Sequence, residues 1–393
     1  MSKDCTIQDV FNRFYPVYAA KHMVPEAHRK AAWHIMNCKT GALGVNISVC
    51  EECGCISVHN NSCRDRCCPM CQQFAKEKWV DARREDVLDA PYFHVVFTVP
   101  EELNPVIYSN QKLLYAALYH AASGTLNELA ADRKHLGAQI GFICILHSWG
   151  SAMNYHPHIH TIVLGGGLDP KGHWKDNGRN FFLPISAMSK MFRGKYLEEL
   201  KTLWSTGRLE FNGTAEKYRN RYEFQELLNT CYAKEWVPYC KKPFRNAESV
   251  IKYLGKYTHR IAISNGRIKG MTDATVTFSV KDYKNRGQWK DLTLPGEEFI
   301  RRFLMHVPPK RFVRIRHYGL LSSRNKSSSI PACRNILGCK KYISRLKNLD
   351  APAIIRLLYN QDICRCASCG GKMIPLPHDY DYVVPARIPK LQC

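Results

Sequence analysis

Hydrophobic residues along this chain change their spacing several times, and each spacing predicts a different element. Between residues 7 and 38 the apolar positions recur at helical intervals, with Pro16 and Pro25 expected to break the helix. Helical spacing or a helix-favouring composition predicts further helices over residues 72–88, 110–131, 186–204, 218–229 and 247–257.

Strand-like runs lie between these predicted helices. Residues 92–99 are β-branched and aromatic and stop at Pro100. Residues 140–149 and 158–164 are apolar runs separated by a short polar stretch, and the second ends at three glycines, which predicts an antiparallel pair. Alternating patterns predict strands over residues 260–264, 274–280 and 288–294. The order of elements predicts an α+β fold with an antiparallel sheet, because it does not alternate as βαβ units do.

Charge narrows the range of partners. The 393 residues include 57 Lys and Arg against 34 Asp and Glu, for a formal net charge of +23, which favours a polyanion such as nucleic acid. We find no run of about 18 apolar residues and no signal peptide, so we expect no membrane partner and a cytoplasmic protein. Eighteen cysteines in a reducing compartment indicate metal ligation instead of disulfides.

The first group of cysteines has the spacing of a zinc site. Cys50-x-x-Cys53 and Cys68-x-x-Cys71 could together form one tetrahedral thiolate shell. Cysteines left between the pairs allow a second ion, so we expect one or two Zn²⁺. The candidate ligands of this second ion are His34, Cys38, Cys63 and Cys67. Such a module could bind DNA or serve only to fold the segment.

Three histidines alternate in the run that begins the 158–164 strand. His156, His158 and His160 would share one face of a strand, where their imidazoles could converge on a metal ion. Imidazole suits several transition ions, so this pattern alone leaves the metal open.

Two tyrosines lie four residues apart in the 247–257 segment. On a helix Tyr253 and Tyr257 would share a face, with three cations between and after them: Lys252, Lys256 and Arg260. Packing of the rings is the simpler interpretation, but the histidine strand favours a nucleophilic role. A tyrosine attacking a phosphodiester beside a metal would give a 5′-phosphotyrosine and a free 3′-hydroxyl, and two tyrosines would permit two successive strand transfers.

The C-terminal part is strongly basic. Thirteen Lys or Arg residues and no acid lie between Arg301 and Leu349, a pattern typical of phosphate-backbone binding. Aromatic residues between these cations could stack on bases: Phe312, Tyr318 and Tyr342. Beyond them Cys364, Cys366 and Cys369 lack an obvious fourth ligand nearby; Cys393 or His378 could supply it, and we do not predict zinc there.

Taken in order along the chain, these motifs resemble the two-tyrosine rolling-circle transposases of the HUH endonuclease superfamily, in the insertion-sequence family that carries an N-terminal zinc-binding domain. The matching motifs are Cys50-x-x-Cys53, residues 62–66, Cys68-Pro69-x-Cys71-Gln72, residues 92–98, residues 156–160, residues 253–260 and residues 312–319. One departure is Cys67, where such proteins often have histidine.

The resemblance implies an HUH nuclease core: an antiparallel sheet with the histidines on a central strand and the tyrosines on a neighbouring helix. It implies Mg²⁺ or Mn²⁺ at His158 and His160, with Tyr253 and Tyr257 as nucleophiles. The third metal ligand stays open among His156, His94 and His147, in that order. Lys252, Lys256, Arg260, Arg314 and Arg316 are the expected DNA contacts.

Three parts are expected: a helical and zinc-binding region over residues 1–90, the catalytic domain over residues 91–295, and a basic, Cys-tailed region over residues 296–393. The expected substrate is single-stranded DNA at element ends and target, in a bacterial cytoplasm at the nucleoid. Two alternatives remain, a plasmid replication initiator or relaxase and a zinc-dependent DNA-binding regulator without catalysis.

Overall fold

The structure is a computed structural model that describes residues 5–176, 183–244, 249–251, 253, 255, 261–282 and 287–377. It confirms the predicted α+β class, with sheets whose paired strands run antiparallel. Among the helices in these ranges, none is both long and apolar enough to cross a membrane.

The N-terminal part holds helices α1 (Ile7–Lys21), α2 (Glu26–Asn37) and α3 (Gln72–Arg84), with the hairpin of β1 (Val45–Cys50) and β2 (Ile56–Asn60) between α2 and α3. Helix α1 begins at Thr6, whose hydroxyl accepts the Asp9 amide in a capping box. The predicted break at Pro16 is wrong, because Pro16 lies inside α1. The break before α2 is confirmed at Pro25, whose fixed φ suits the residue preceding a helix.

A six-stranded antiparallel sheet forms the centre of the molecule, with the order β11-β4-β5-β3-β7 and β6 paired to β5. Its strands are β3 (Tyr92–Thr98), β4 (Gln139–Trp149), β5 (Tyr155–Leu168), β6 (Trp174–Asp176), β7 (Tyr239–Phe244) and β11 (Ile315–Gly319). The predicted strand pair is confirmed, since β4 and β5 are direct neighbours.

Between β3 and β7 the chain forms the helices α4 (Asn104–Ser109), α5 (Gln111–Ala131), α6 (Ile185–Ser205) and α7 (Arg221–Ala233). One face of the sheet packs on helices α5, α6 and α7 through a large apolar core that includes Phe97, Phe142, Ile159 and Phe192. Because strand side chains alternate, neighbouring residues such as Ile143 and Ile162 point to the opposite face. There they form a second core with Val250 and Ile330. His158 and His160 of β5 lie on this second face.

A smaller sheet of β8 (Ile268–Met271), β9 (Thr275–Asp282) and β10 (Gln288–Pro295) is followed by α8 (Gly296–Leu304). The predicted strand over residues 260–264 is wrong within the described residues 261–264: Ala262 has a positive φ of 47° and no strand is assigned. Residues of α1, α2, this sheet and α8 share one core, which joins Phe11 and Ile35 to Phe278 and Phe303. The three-part division at residues 90 and 295 stays a prediction.

The chain ends, in the described residues, with α9 (Lys326–Leu337), α10 (Ala351–Tyr359) and β12 (Met373–Pro375). Strand β12 returns to the N-terminal hairpin and pairs with β1, forming a three-stranded sheet in the order β12-β1-β2. The C-terminal part of the described chain is therefore in direct contact with the N-terminal hairpin.

Candidate active site and metal centres

Strand register brings three histidines together on the second face of the central sheet. His158 of β5 lies directly opposite His147 of β4, and His160 lies two residues further along the same face. Opposite residues of an antiparallel pair have Cβ atoms roughly 5 Å apart, so their rings can meet. The ligand nitrogens of His147, His158 and His160 all lie within 4.8 Å of one another.

The spacing of these nitrogens suits a metal ion. His158 Nε2 and His160 Nε2 are 3.0 Å apart. Metal–nitrogen bonds of about 2.1 Å at right angles place neighbouring nitrogens about 3.0 Å apart. His158 Nδ1 is 2.6 Å from the His156 carbonyl oxygen and donates to it, which leaves Nε2 as the lone-pair nitrogen facing the cluster.

Burial keeps the imidazoles of His158 and His160 neutral. Burial, and after it the neighbouring His156 ring, lower the pKa of His158 to about 3. Burial also lowers the pKa of His160 well below its usual value, with His147 as the next cause. A neutral imidazole has a free lone pair for a metal at neutral pH, so the electrostatics favour ligation.

The first candidate for a third ligand, His156, lies outside this group in the structure. Between His147 and Trp149 the β4–β5 register shifts, so that Trp149 pairs with Tyr155. This bulge, next to Pro157, breaks the strict alternation that would have carried His156 onto the cluster. The structure places His147 there instead.

Tyr253 lies against the same cluster. Its hydroxyl oxygen is 2.6 Å from His94 Nε2 and 3.0 Å from His160 Nδ1. His94 is on β3, opposite Ile162, and its ring stacks on His160 with centroids 5.2 Å apart. The residues Ser249, Val250, Ile251, Tyr253 and Gly255 are helical, and we call them the Tyr253 helix. Val250 of this helix is buried in the core beneath the sheet.

Four predicted site residues lie outside the described residues: Tyr257, Lys252, Lys256 and Arg260. Their roles stay predictions.

Four N-terminal cysteines form a second cluster of metal-ligand geometry, the inner cysteine cluster: Cys38, Cys63, Cys68 and Cys71. Cys63 and Cys71 sulfurs are 3.7 Å apart. A tetrahedral zinc shell with Zn–S bonds of about 2.3 Å has sulfurs about 3.8 Å apart. Hydrogen bonds from Cys63 and then Cys68 lower the pKa of Cys71. The cluster therefore fits Zn²⁺.

Two predicted zinc ligands lie beside this cluster without joining it. Cys67 is buried, which raises its pKa to about 12, and its amide donates to Asp65 Oδ1 over 2.7 Å. His34 Nδ1 is 2.7 Å from Asp65 Oδ2. The Asp65 carboxylate thus contacts both residues and fixes the positions of the Cys67 backbone and the His34 ring beside the inner cysteine cluster.

The predicted partnership of Cys50 and Cys53 with Cys68 and Cys71 does not form. Cys50 and Cys53 lie at the turn between β1 and β2, and the five residues of β2 carry the chain roughly 17 Å from that turn. At the turn they meet two C-terminal residues, Cys366 and Cys369, and the four form the terminal cysteine cluster.

Comparisons with known proteins identify transposases as relatives of this chain. A family profile described as "Putative transposase" matches residues 141–329, and one described as "Transposase zinc-binding domain" matches residues 10–99. The chain is 39% identical over 377 residues to "Putative transposase y4qJ" of Sinorhizobium fredii, covering 94% of each chain. It is 28% identical over 346 residues to "Transposase for insertion sequence element IS801" of Pseudomonas savastanoi pv. phaseolicola, covering 86% of this chain and 81% of that one. No solved structure matches the chain.

The chain belongs to this family of rolling-circle HUH transposases. The transposase profile spans His147, His158, His160 and Tyr253, and the zinc-binding profile spans all of the inner cysteine cluster. DNA is the substrate of a transposase, and zinc in the N-terminal region is supported by both the profile and the cysteines. Cys366 and Cys369 lie outside both matched ranges.

Two predicted DNA contacts of the transposase lie away from the histidines. Arg316 pairs with Cys144, which belongs to the helix-covered face of the sheet, so its side chain points to the face opposite the histidines. Its guanidinium lies over the Tyr119 ring at 4.1 Å from the centroid. Arg314 is half-buried on the same face, and burial lowers its pKa. Contact of either residue with DNA stays a prediction.

Part of the basic C-terminal stretch of the transposase also has structural partners. Phe312 is buried in the main core, and the Tyr342 hydroxyl donates to Asp81 over 2.6 Å. Arg334 donates to the Glu85 carbonyl oxygen. Burial takes Phe312 away from the base-stacking role that its spacing among cations indicates, whereas stacking on the half-buried Tyr342 stays a prediction.

Proposed function

We propose that this transposase cleaves and rejoins single-stranded DNA by tyrosine transesterification, with Tyr253 as a nucleophile, during rolling-circle transposition. The observation that carries the proposal is the position of the Tyr253 hydroxyl, 3.0 Å from His160 Nδ1 at the half-buried edge of the three-histidine cluster. A phenol beside a cation site is suited to attack a phosphodiester, because positive charge there offsets the charge that builds on the phosphoryl oxygens.

In the proposed step the Tyr253 oxygen attacks the scissile phosphorus. A phosphorus–phenol bond forms and the bond to the 3′ oxygen breaks, leaving a 5′-phosphotyrosine and a free 3′-hydroxyl. His94 Nε2, 2.6 Å from the phenol oxygen, is placed to accept the phenol proton, and the departing 3′ oxygen takes up a proton in turn. Attack by a 3′-hydroxyl on the phosphotyrosine reverses the step, so rejoining needs no external energy source.

The family implies a divalent ion at the histidines, and the residues fit one. His147, His158 and His160 would hold it, and it would supply positive charge to a non-bridging phosphoryl oxygen. Three imidazole nitrogens are softer ligands than Mg²⁺ prefers, so we propose Mn²⁺ as the better of the two expected ions for this shell. In the same proposal Tyr257 is the second nucleophile, which allows one strand end to stay attached while the other is transferred.

The test is formation of a covalent adduct. Labelled single-stranded oligonucleotides from the element ends, incubated with the transposase and Mn²⁺, should give an SDS-resistant complex. Peptide mass spectrometry should place the nucleotide on Tyr253 or Tyr257. The same sequence as a duplex should give much less adduct.

Matched tyrosine variants make this test specific. Tyr253→Phe together with Tyr257→Phe should abolish the adduct, whereas Tyr222→Phe, a change of an exposed tyrosine on α7, should leave it unchanged. An adduct that survives the double change would contradict the proposal. Absence of any wild-type adduct with authentic ends would favour the non-catalytic DNA-binding alternative.

A further inference from the structure

The terminal cysteine cluster joins the β1–β2 hairpin to the C-terminal segment of the described chain. Cys50 and Cys53 come from the β1–β2 turn, and Cys366 and Cys369 come from a turn that precedes β12. The relevant sulfur–sulfur distances are 3.4 Å for Cys50 and Cys369, 3.6 Å for Cys53 and Cys366, and 3.3 Å for Cys53 and Cys369. A disulfide would need about 2.05 Å, and a tetrahedral Zn–S₄ shell about 3.8 Å.

Each turn has the backbone arrangement of a zinc knuckle. In the first, the Gly54 amide donates to the Cys50 carbonyl oxygen and the Cys50 amide to that of Cys55. In the second, the Gly370 amide donates to the Cys366 carbonyl oxygen, and the Gly371 amide donates to the Cys369 sulfur over 3.4 Å. Amide donors to sulfur stabilise thiolates, which are the metal-binding form.

Glycine is required where the second knuckle meets the first. A Cβ on Gly371 would lie 2.9 Å from the Cys50 sulfur and 2.8 Å from the Glu52 carboxyl carbon. Gly370 has a φ of 78°, which side chains other than glycine rarely adopt. Gly370 and Gly371, between Cys369 and β12, therefore permit the close approach of the two knuckles.

Strand pairing fixes the two knuckles side by side. Cys50 of β1 is opposite Met373 of β12, and the pairing continues through Ser48 and Pro375. The Glu51 amide donates to the Lys372 carbonyl oxygen over 3.1 Å, at the level of the cysteines. Two knuckles on adjacent hairpins of one small antiparallel sheet form the architecture of a zinc ribbon.

We infer that Cys50, Cys53, Cys366 and Cys369 bind a structural Zn²⁺ as a split zinc ribbon, which fastens the C-terminal segment to the N-terminal zinc-binding region. This site is separate from the inner cysteine cluster, so the transposase holds two Zn²⁺ per chain. Four thiolates fill a tetrahedral shell and leave no position for substrate, so the ion is structural. The proposal does not depend on the tyrosine mechanism.

Alkylation of the wild-type protein tests the site without any variant. Cys53, Cys364 and Cys369 are all exposed, so exposure alone would let N-ethylmaleimide label all three. With zinc bound, Cys364 should be the only one of these three that reacts quickly with N-ethylmaleimide. After treatment with a chelator, the four cysteines of the terminal cysteine cluster should become reactive together. Equal labelling of Cys364 and Cys369 in the untreated protein would overturn the inference.

Native mass spectrometry supplies the stoichiometry. The wild-type chain should carry two zinc ions, and Cys366→Ser with Cys369→Ser should carry one. Cys364→Ser, two residues from Cys366 and outside the cluster, should keep both. Hydrogen exchange should show faster exchange in the double variant for the Leu376 amide, which donates to the Ile47 carbonyl oxygen in the sheet. One zinc in the wild type, or two in the double variant, would overturn the inference.

Discussion

At the scale of single residues, ring position decides which histidines can share an ion. His147 and His158 are opposite one another across β4 and β5. The His156 ring lies beside that of His158, with centroids 5.0 Å apart, but its nitrogens are not among the ligand atoms that all lie within 4.8 Å of one another. The backbone carbonyl oxygen of His156 nevertheless accepts a hydrogen bond from His158 Nδ1 and so orients the His158 ring. A substitution of the His156 side chain would leave this backbone hydrogen bond in place.

This difference gives a prediction that separates the two histidines. His147→Ala should lower the yield of covalent adduct at limiting Mn²⁺ by roughly 10-fold or more, because the loss of a hydrogen-bond partner of a metal ligand already costs about 10-fold to 100-fold. His156→Ala should have a much smaller effect and serves as the matched control. The measurement is adduct yield over a Mn²⁺ titration, with zinc content checked in each variant. A stronger effect of His156→Ala would place the third ligand at His156 instead.

At the scale of elements, α3 links the inner cysteine cluster to the nucleophile. Cys71 lies at the N-terminus of α3, and Val80 further along the helix faces Gly255 of the Tyr253 helix. A Cβ on Gly255 would lie 3.2 Å from Val80 Cγ2 and 3.5 Å from Lys76 Cε. The two helices therefore approach closely at a position where glycine leaves the necessary space.

A larger residue at this contact should disturb catalysis without disturbing zinc. Gly255→Leu should push the Tyr253 helix from α3 and move its hydroxyl from the histidines, reducing adduct formation several-fold or more. Gly194→Leu on α6 is the matched control, because a Cβ at Gly194 meets no atom within 4 Å. Adduct assays and zinc analysis on both variants test this contact. Equal activity of Gly255→Leu and Gly194→Leu would show that the contact does not position Tyr253.

Elements with strong local patterns were predictable from the sequence. The 110–131 helix and the strands from residues 92, 140 and 158 are found, because their periodicity reflects burial against the main core. The prediction of a strand at residues 260–264 was wrong, because Ala262 adopts a left-handed backbone conformation that the apolar sequence pattern does not indicate. The histidines were found by alternation, but the register shift beside His156 was not predicted, because Pro157 is the only local feature that accompanies it.

The partners of the cysteines could not be predicted in the same way. Each C-x-x-C pair indicates half of a site, and spacing along the chain favoured the nearest two pairs. The β1–β2 hairpin separates those pairs in space, and the strand pairing that supplies Cys366 and Cys369 links residues more than 300 positions apart in sequence. The spacing of cysteines along the chain therefore does not predict this contact, which is seen in the three-dimensional structure.

At the scale of the whole molecule, several contacts join distant parts of the chain around the central sheet. The Arg66 guanidinium, beside the inner cysteine cluster, donates to the carbonyl oxygens of Phe312, Pro308 and Pro309. The core shared by α1, α2 and α8 joins the N-terminal region to residues 261–307. A change in one of these parts should therefore alter the packing of the others. The free energy of unfolding of the whole protein should report such a change.

Buried histidines make that stability depend on pH in a definite direction. Burial lowers the pKa of His306 to about 4, although its bond to the Met153 carbonyl oxygen opposes the shift. In the unfolded chain a histidine gains its proton near pH 6.5, so between about pH 6.5 and 4 the unfolded state binds more protons. Acidification through this window should therefore destabilise the fold, by up to about 1.4 kcal/mol per pH unit for each such histidine.

His306→Gln isolates one of these contributions, because glutamine can donate to the Met153 carbonyl oxygen without titrating. Guanidinium unfolding at pH 7, 6 and 5 should show a shallower loss of stability for the variant than for the wild type. Loss of zinc on acidification affects both proteins equally, so it cancels from the difference in slopes. Identical slopes would mean that His306 is not held neutral by the fold, and that burial at this position does not contribute to acid sensitivity.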